Sequence, residues 1–291
     1  MSDDLAARFP ANPEQAQYWN TARGGQWVTH QEALDARFAG VRDQLLARAA
    51  VGPGERALDV GCGTGATTLE LAPRVGPGGT VLAIDISAPM LELAQQRCAA
   101  QGLEQVRFLC ADAQSHGFEP AAHDLLISRF GVMFFGDPVA AFGNLRIALR
   151  PGGRLGFVCW AALERNPWFA LPLAVGERWL GPAEPQPPRA PGPLAFSESG
   201  YVEEILAAAG FADVAIETVA TRLSGAPTAE AEAAFACLVG PLARLIRTRE
   251  PDAATERAIA LEVAERFRPF QSEAGVQIPA TLHYVEACQP A

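Results

Sequence analysis

The sequence predicts an α/β fold built on a mostly parallel sheet flanked by helices, and three observations lead there. Short apolar runs recur at 57–60, Thr80–Asp85, 106–111, 124–128 and 154–160. Helix-compatible stretches separate them, and strands that alternate with helices form parallel sheets with right-handed crossovers. The first run opens directly into Gly61-Cys62-Gly63-Thr64-Gly65, three glycines at alternate positions ahead of a helix start.

That turn carries most of the chemistry. Glycine tolerates positive φ and lets a ligand approach the main chain with no Cβ in the way. The following helix N-terminus offers free N–H groups to an electron-rich group. A nucleotide-like cofactor is therefore expected. A dinucleotide site wants G-x-G-x-x-G/A, which Gly61, Gly63 and Ala66 satisfy. Asp59, two residues before the first glycine, would repel a pyrophosphate but suits an ammonium group.

Leu58-Asp59-Val60-Gly61-Cys62-Gly63-Thr64-Gly65 closely resembles the first motif of class I S-adenosylmethionine (SAM)-dependent methyltransferases. The resemblance continues in order over roughly 55–160. Asp85 ends the second run, 24 residues after Gly61; Asp112-Ala113 follow the third; Pro151-Gly152-Gly153 precede the fifth. It implies a Rossmann-like seven-stranded, mostly parallel sheet with an antiparallel last strand, flanked by helices and carrying helical lid insertions. It also implies SAM as cofactor. Gly61, Gly63 and Gly65 would give close backbone approach and Asp59 would orient the methionine end. Asp85 would hold the ribose, and Asp112 with Ala113 would frame the adenine. Ile86 and Met90 would pack on the adenine ring, with Ser128 at the end of the fourth strand beside them. An NAD-dependent oxidoreductase and a catalytically silent SAM-binding protein are the alternatives.

Composition narrows the partners. The 291 residues carry a net charge of −10, whereas a nucleic-acid surface needs a basic face. Met1-Ser2-Asp3-Asp4 is acidic where a secretory signal would be basic, and no apolar run reaches membrane-spanning length. The six cysteines are scattered with no C-x-x-C pair. A reduced, cytoplasmic protein is expected, acting on a small molecule without nucleic acid, membrane or metal.

Along the chain, residues 1–33 read as an irregular aromatic segment (Phe9, Tyr18, Trp19, Trp27) forming a lid over a domain spanning 34–291. Leu34, Phe38, Val41 and Leu45 space a helix. Ser87 is placed to cap the helix after the second strand, and Gly102 to close it. Residues 161–198, with six prolines between 182 and 193, read as an ordered insertion or stiff loop outside the core. A helix at 201–209, a strand at 214–219, a helical insertion at 228–271 and a last strand at 276–287 complete the chain.

Ligands in open α/β sheets bind beyond the carboxyl ends of the strands. Trp160 and Arg129 fall there, and Trp19 and Trp27 are expected to close over the same space. Ser128-Arg129-Phe130-Gly131 replaces the Asn/Asp-Pro-Pro-Tyr/Phe of enzymes that methylate base amines, and 128–135 lacks the acids of metal-dependent relatives. The chain also resembles the ubiquinone/menaquinone-biosynthesis-type and natural-product group, which implies a small organic acceptor with an oxygen, nitrogen, sulfur or carbon nucleophile. Should a general base be needed, His30 is the candidate; His116 and His123 are expected at the surface, and His283 in the last strand. Arg129 would either clamp an acceptor carboxylate or pair internally with Asp59 or Asp112.

Overall fold

The computed structural model describes residue 5 and residues 7–291, so the acidic start at 1–4 lies outside it. Five parallel strands form the expected half of the sheet: β1 (Arg56–Val60), β2 (Thr80–Asp85), β3 (Val106–Cys110), β4 (His123–Arg129) and β5 (Leu149–Trp160). Two long strands, β6 (Ala212–Ser224) and β8 (Gly275–Cys288), complete it; the two-residue β7 (Gln271–Ser272) pairs only with the start of β8. The order is β3-β2-β1-β4-β5-β8-β6, and β8 runs antiparallel to both neighbours. The inner strands β1, β2 and β4 are buried almost throughout because helices cover them, whereas the edge strand β3 is only partly buried.

The helices are α1 (Pro13–Trp19), α2 (Ala22–Thr29), α3 (Gln31–Arg48), α4 (Ala66–Val75), α5 (Ala88–Ala100), α6 (Pro138–Ala148), α7 (Pro167–Leu180), α8 (Ser199–Ala208), α9 (Ala229–Ala236), α10 (Pro241–Arg249) and α11 (Ala253–Phe267). Local chemistry starts several of them. Proline stands in the first turn of α1, α5, α6, α7 and α10, where its missing N–H costs nothing. Asp137, Thr228 and Asp252 accept a first-turn N–H at the starts of α6, α9 and α11. Leu34, Phe38, Val41 and Leu45 are all buried along one stripe of α3, as their spacing predicts. Among the described residues no helix is long and apolar enough to cross a membrane.

Four expectations change. The described part of the N-terminal segment is not irregular: α1 and α2 occupy it, tied to the β2–α5 turn. There Asn20 Nδ2 donates to Ile86 O at 2.9 Å and Ala88 N donates to Asn20 Oδ1 at 2.9 Å. Ser87 stands at the start of α5 but makes no cap bond; its hydroxyl donates instead to Trp19 O at 2.7 Å. The stretch 161–198 is not all outside the core, because α7 buries Trp168 and Phe169 within it; only the proline-rich 181–198 lacks regular structure. His123 is buried at the start of β4 rather than at the surface.

One buried ion pair ties these added segments to the sheet's cover. Arg37 of α3 donates Nη1 and Nη2 to Glu232 of α9 at 2.6 and 2.8 Å, and the two side chains are 2% and 0% exposed. Glu232 also accepts Trp168 Nε1 of α7 at 3.1 Å and the Ala226 N–H at 2.7 Å. The guanidinium lies between the Trp168 and Phe235 rings, 4.9 and 4.8 Å from their centroids. A two-pronged pair is the strong form of this contact, but its loss leaves an uncompensated buried charge. Glu232→Ala should lower unfolding free energy by about 3–5 kcal/mol, and the double variant Arg37→Met/Glu232→Leu should recover most of that loss. Denaturant titration checks this; equal losses in the single and double variants would refute it.

Candidate functional site

Where β1 ends, Gly61 has φ +66°, and a Cβ there would lie 2.6 Å from the Gly131 Cα, so the two main chains touch. Gly61 N and Cys62 N both donate to Ile84 O, at 2.9 and 3.2 Å, fixing the turn against the end of β2. Gly63 N donates to Asp85 Oδ2 at 2.7 Å and Ser87 N to Asp85 Oδ1 at 2.8 Å. The carboxylate that closes β2 is thus held by main-chain N–H groups from two turns. Beyond β3, Asp112 accepts the Gln114 N–H at 3.0 Å through Oδ1, while its buried Oδ2 has no partner among the described residues. Asn144 Nδ2 fixes the adjoining Ala113 carbonyl at 3.0 Å.

These groups line one cavity of about 510 Å³, within the range of small-molecule sites. The structure brings Gly61, Gly63, Asp85, Ile86, Met90, Asp112 and Ala113 together along its floor and one wall. Trp19, Trp27, Arg129 and Trp160 line the same cavity. Trp19 meets Trp27 and Phe134 edge-on, with centroids 6.0 and 5.0 Å apart.

Four expected residues stand elsewhere. Ser128 faces away from the cavity; its hydroxyl donates to Val60 O at 2.7 Å and accepts from Gly131 N at 3.2 Å, a structural clasp between β4 and β1. Gly65 packs on α5, where a Cβ would sit 3.0 Å from Ala94 Cβ. Asp59 is enclosed behind the turn and accepts the Thr68 hydroxyl at 2.6 Å. His30 joins α2 to α3 with its ring edge-on to Phe235, and it lines a separate shallow depression. The α2–α3 corner sets His30 away from the lining of this cavity.

Sequence reasoning missed the cavity's aromatic wall. Phe130 stacks on Trp160 at 4.9 Å, and Phe38 meets Phe130, Trp160 and Trp168 edge-on at 5.3, 6.0 and 5.7 Å. Phe130 takes φ +65°, a strained conformation for a bulky residue that functional sites tolerate. The available signal was Phe38 on the buried stripe of α3 and the aromatics after β5, but helix periodicity alone shows burial and not what is lined.

Burial sets the electrostatics. Desolvation pushes the Asp85 carboxyl up to about 6, against the N–H bonds from Ser87 and Gly63. It pushes Asp59 up to about 7, against the Thr68 hydroxyl and the Arg129 charge, and raises Asp112 above the usual range. Arg129 is lowered by the same cause. Neither internal ion pair expected for Arg129 forms: among the described residues it has no ion-pair or hydrogen-bond partner, and its Nε and Nη1 are buried bare.

Residues 57–153 match the methyltransferase-domain family. Over that span the chain carries a methyltransferase domain. Nocamycin O-methyltransferase of Saccharothrix syringae is 33% identical over 187 residues, covering 61% of this chain and 66% of the relative. Aklanonic acid methyltransferase of a Streptomyces species is 38% identical over 104 residues, covering 36% and 47%. The chain thus spans about half to two-thirds of the length of these relatives. A Haemonchus contortus phosphoethanolamine N-methyltransferase solved with S-adenosylmethionine shares the fold, with a TM-score of 0.58 at 17% identity over 95% of this chain and 60% of that one. The methyltransferase domain therefore holds the glycine turn, Asp85 and Asp112, while the aromatic wall draws on segments outside the matched span as well.

The turn's two glycines should respond differently. Gly61→Ala drives a Cβ into the Gly131 main chain at positive φ, and it should destabilise the fold by about 2–4 kcal/mol. At Gly63 the nearest atom to an added Cβ is the flexible Met90 Cε at 3.9 Å, so Gly63→Ala should cost only about 1 kcal/mol. Thermal and denaturant unfolding of the two variants measure the difference, and equal losses would contradict the described contact.

Proposed function

We propose that the chain is a SAM-dependent methyltransferase acting on a small organic acceptor. The observation that supports this best is the convergence, in one cavity, of a glycine turn, two buried strand-end carboxylates and an aromatic wall. The residues present fit the donor. Asp85 keeps lone pairs for a ribose diol beyond its two N–H bonds, and the orphaned Asp112 Oδ2 lacks a donor that an adenine amino group would provide. Ile86 and Met90 offer apolar surface to the ring, and Gly61 and Gly63 leave main chain open to the methionine end.

Bound SAM supplies an electrophilic methyl on a sulfonium, which an acceptor nucleophile takes in line as S-adenosylhomocysteine leaves. The protein's part is to hold the two molecules aligned and to exclude water. α1, α2, α7 and the proline-rich 181–198 stretch wall the cavity on the acceptor side and act as its lid. Relatives named for nocamycin and aklanonic acid support an organic acceptor. The six free cysteines suit a reducing compartment, and the cytoplasm is the proposed location.

Asp85→Ala removes charge-assisted hydrogen bonds worth about 1.5–3 kcal/mol each, so SAM affinity should fall about tenfold or more with the fold retained. Calorimetric titration with SAM, and with NAD as a control, measures this; unchanged SAM binding would remove Asp85 from the site. The pH dependence has a definite sign. Only the ionised carboxylate accepts both hydroxyls, so affinity should hold steady above pH about 6 and decline below it, and Asp85→Asn should flatten the curve. For the lid, S-adenosylhomocysteine should protect residues 7–30 from protease and shift Trp19 and Trp27 fluorescence. Equal cleavage with and without it, and full activity after deleting residues 1–30, would confine that segment to outer packing.

A further inference from the structure

Arg129 is a partly exposed cation in the cavity with no ion-pair or hydrogen-bond partner for its guanidinium among the described residues. Its Nε and Nη1 are buried bare, and its guanidinium rests on the Phe38 ring, 5.6 Å from the centroid. Donors buried without acceptors are disfavoured. The two acids that attract it most are poor counterions. Asp35 is committed to Arg97 and Gln31, each at 2.6 Å. Asp59 has its carboxyl pushed up by burial, which weakens its charge as a counterion, and spends one oxygen on Thr68. Arg42 and Arg97 add further positive potential.

We propose that Arg129 anchors an oxyanion of the acceptor, which makes the acceptor a flat aromatic molecule bearing an ionised carboxyl, phenol or enol; this rests on the methyl-transfer reading above. The ring contacts tie the anchor to the aromatic wall. Phe38, on which the guanidinium lies, is the hub that meets Phe130, Trp160 and Trp168. Stacked rings receive a planar π-system, and a guanidinium at their edge recognises a planar oxyanion with directional N–H groups. The anchor also accounts for the missing base. No histidine lines the cavity among the described residues, and the sequence contains no lysine. Arg129 lowers the pKa of an acidic acceptor bound beside it, so the acceptor arrives deprotonated and needs no base.

The test uses anthraquinone-2-carboxylate and its neutral, nearly isosteric carboxamide, titrated into the full chain saturated with S-adenosylhomocysteine. SAM binding is titrated separately. Wild type should prefer the carboxylate by about tenfold or more, the worth of one charge-assisted bond. Arg129→Gln should reduce that preference to within about twofold, and Arg129→Lys should retain only part of it, because a point charge lacks the planar fork. SAM affinity should stay within about twofold of wild type in both variants. Equal or absent binding of the two probes by wild type overturns the proposal, as does a preference that survives Arg129→Gln. A tenfold or larger loss of SAM affinity in Arg129→Gln or Arg129→Lys overturns it too, assigning the arginine to the donor's own carboxylate. Failure of wild type to bind SAM at all would instead refute the methyl-transfer reading.

Discussion

Where β1 and β4 leave the sheet, their main chains meet with no side chain between them, and the rest of the site hangs on that contact. Gly61 and Gly131 sit too close for a Cβ on either. Ser128 fastens the junction by bonding Val60 O and Gly131 N together. The chain must then reverse within one residue, which places Phe130 at positive φ and swings its ring onto Trp160. The glycine turn and the aromatic wall are therefore two sides of one rigid joint. A shift of either would be felt at once by the other, as close-packed main chain transmits displacement without a compliant side chain to absorb it.

Much of this was legible in the sequence because it depends on local rules. Strand period, glycines at alternate positions and an acid at a strand end are short-range signals; they located β1 to β5, and the structure sets Asp85 and Asp112 on the cavity lining. The differences in placement share a cause. Side chains alternate across a strand, and in the register Asp59 lies beside Ile127. Asp59, Ile127 and Arg129 therefore share one face of the sheet, and Ser128 belongs to the other. Placing Ser128 off the cavity and Arg129 on its lining needed that register, which the spacing of one strand does not contain. His30 lies off the cavity for a related reason: its place depends on how α2 turns into α3, and no periodicity encodes a corner. The described N-terminal helices and α7 were missed because prolines and tryptophans suggest loops locally, whereas here the prolines open helices and the tryptophans are buried by long-range packing.

The electrostatic design is also non-local. Asp85 is surrounded by main-chain N–H groups rather than by a cation, so its charge is supported by dipoles that move little when a ligand binds. Arg129 has the opposite arrangement, a full charge with neither an ion-pair nor a hydrogen-bond partner among the described residues. At one end of the cavity the Asp85 carboxylate has main-chain donors before any ligand binds; at the other the Arg129 guanidinium has no such partner among the described residues. Binding at the two ends should differ accordingly in how strongly salt and charge substitution affect it.

The Arg37–Glu232 pair has a consequence for how such enzymes can diversify. Its members and Trp168 come from three stretches of chain far apart in sequence, all of them outside the span shared with the methyltransferase-domain family. The acceptor chamber is therefore not a cassette. Recombination that exchanges the stretch after β5, or the one between β6 and β8, separates partners whose charges are fully enclosed, and the hybrid inherits a stranded ion. Viable grafts must carry Arg37, Trp168 and Glu232 as a set, so new acceptor pockets on this scaffold should arise by point changes along the aromatic wall more readily than by swapping segments.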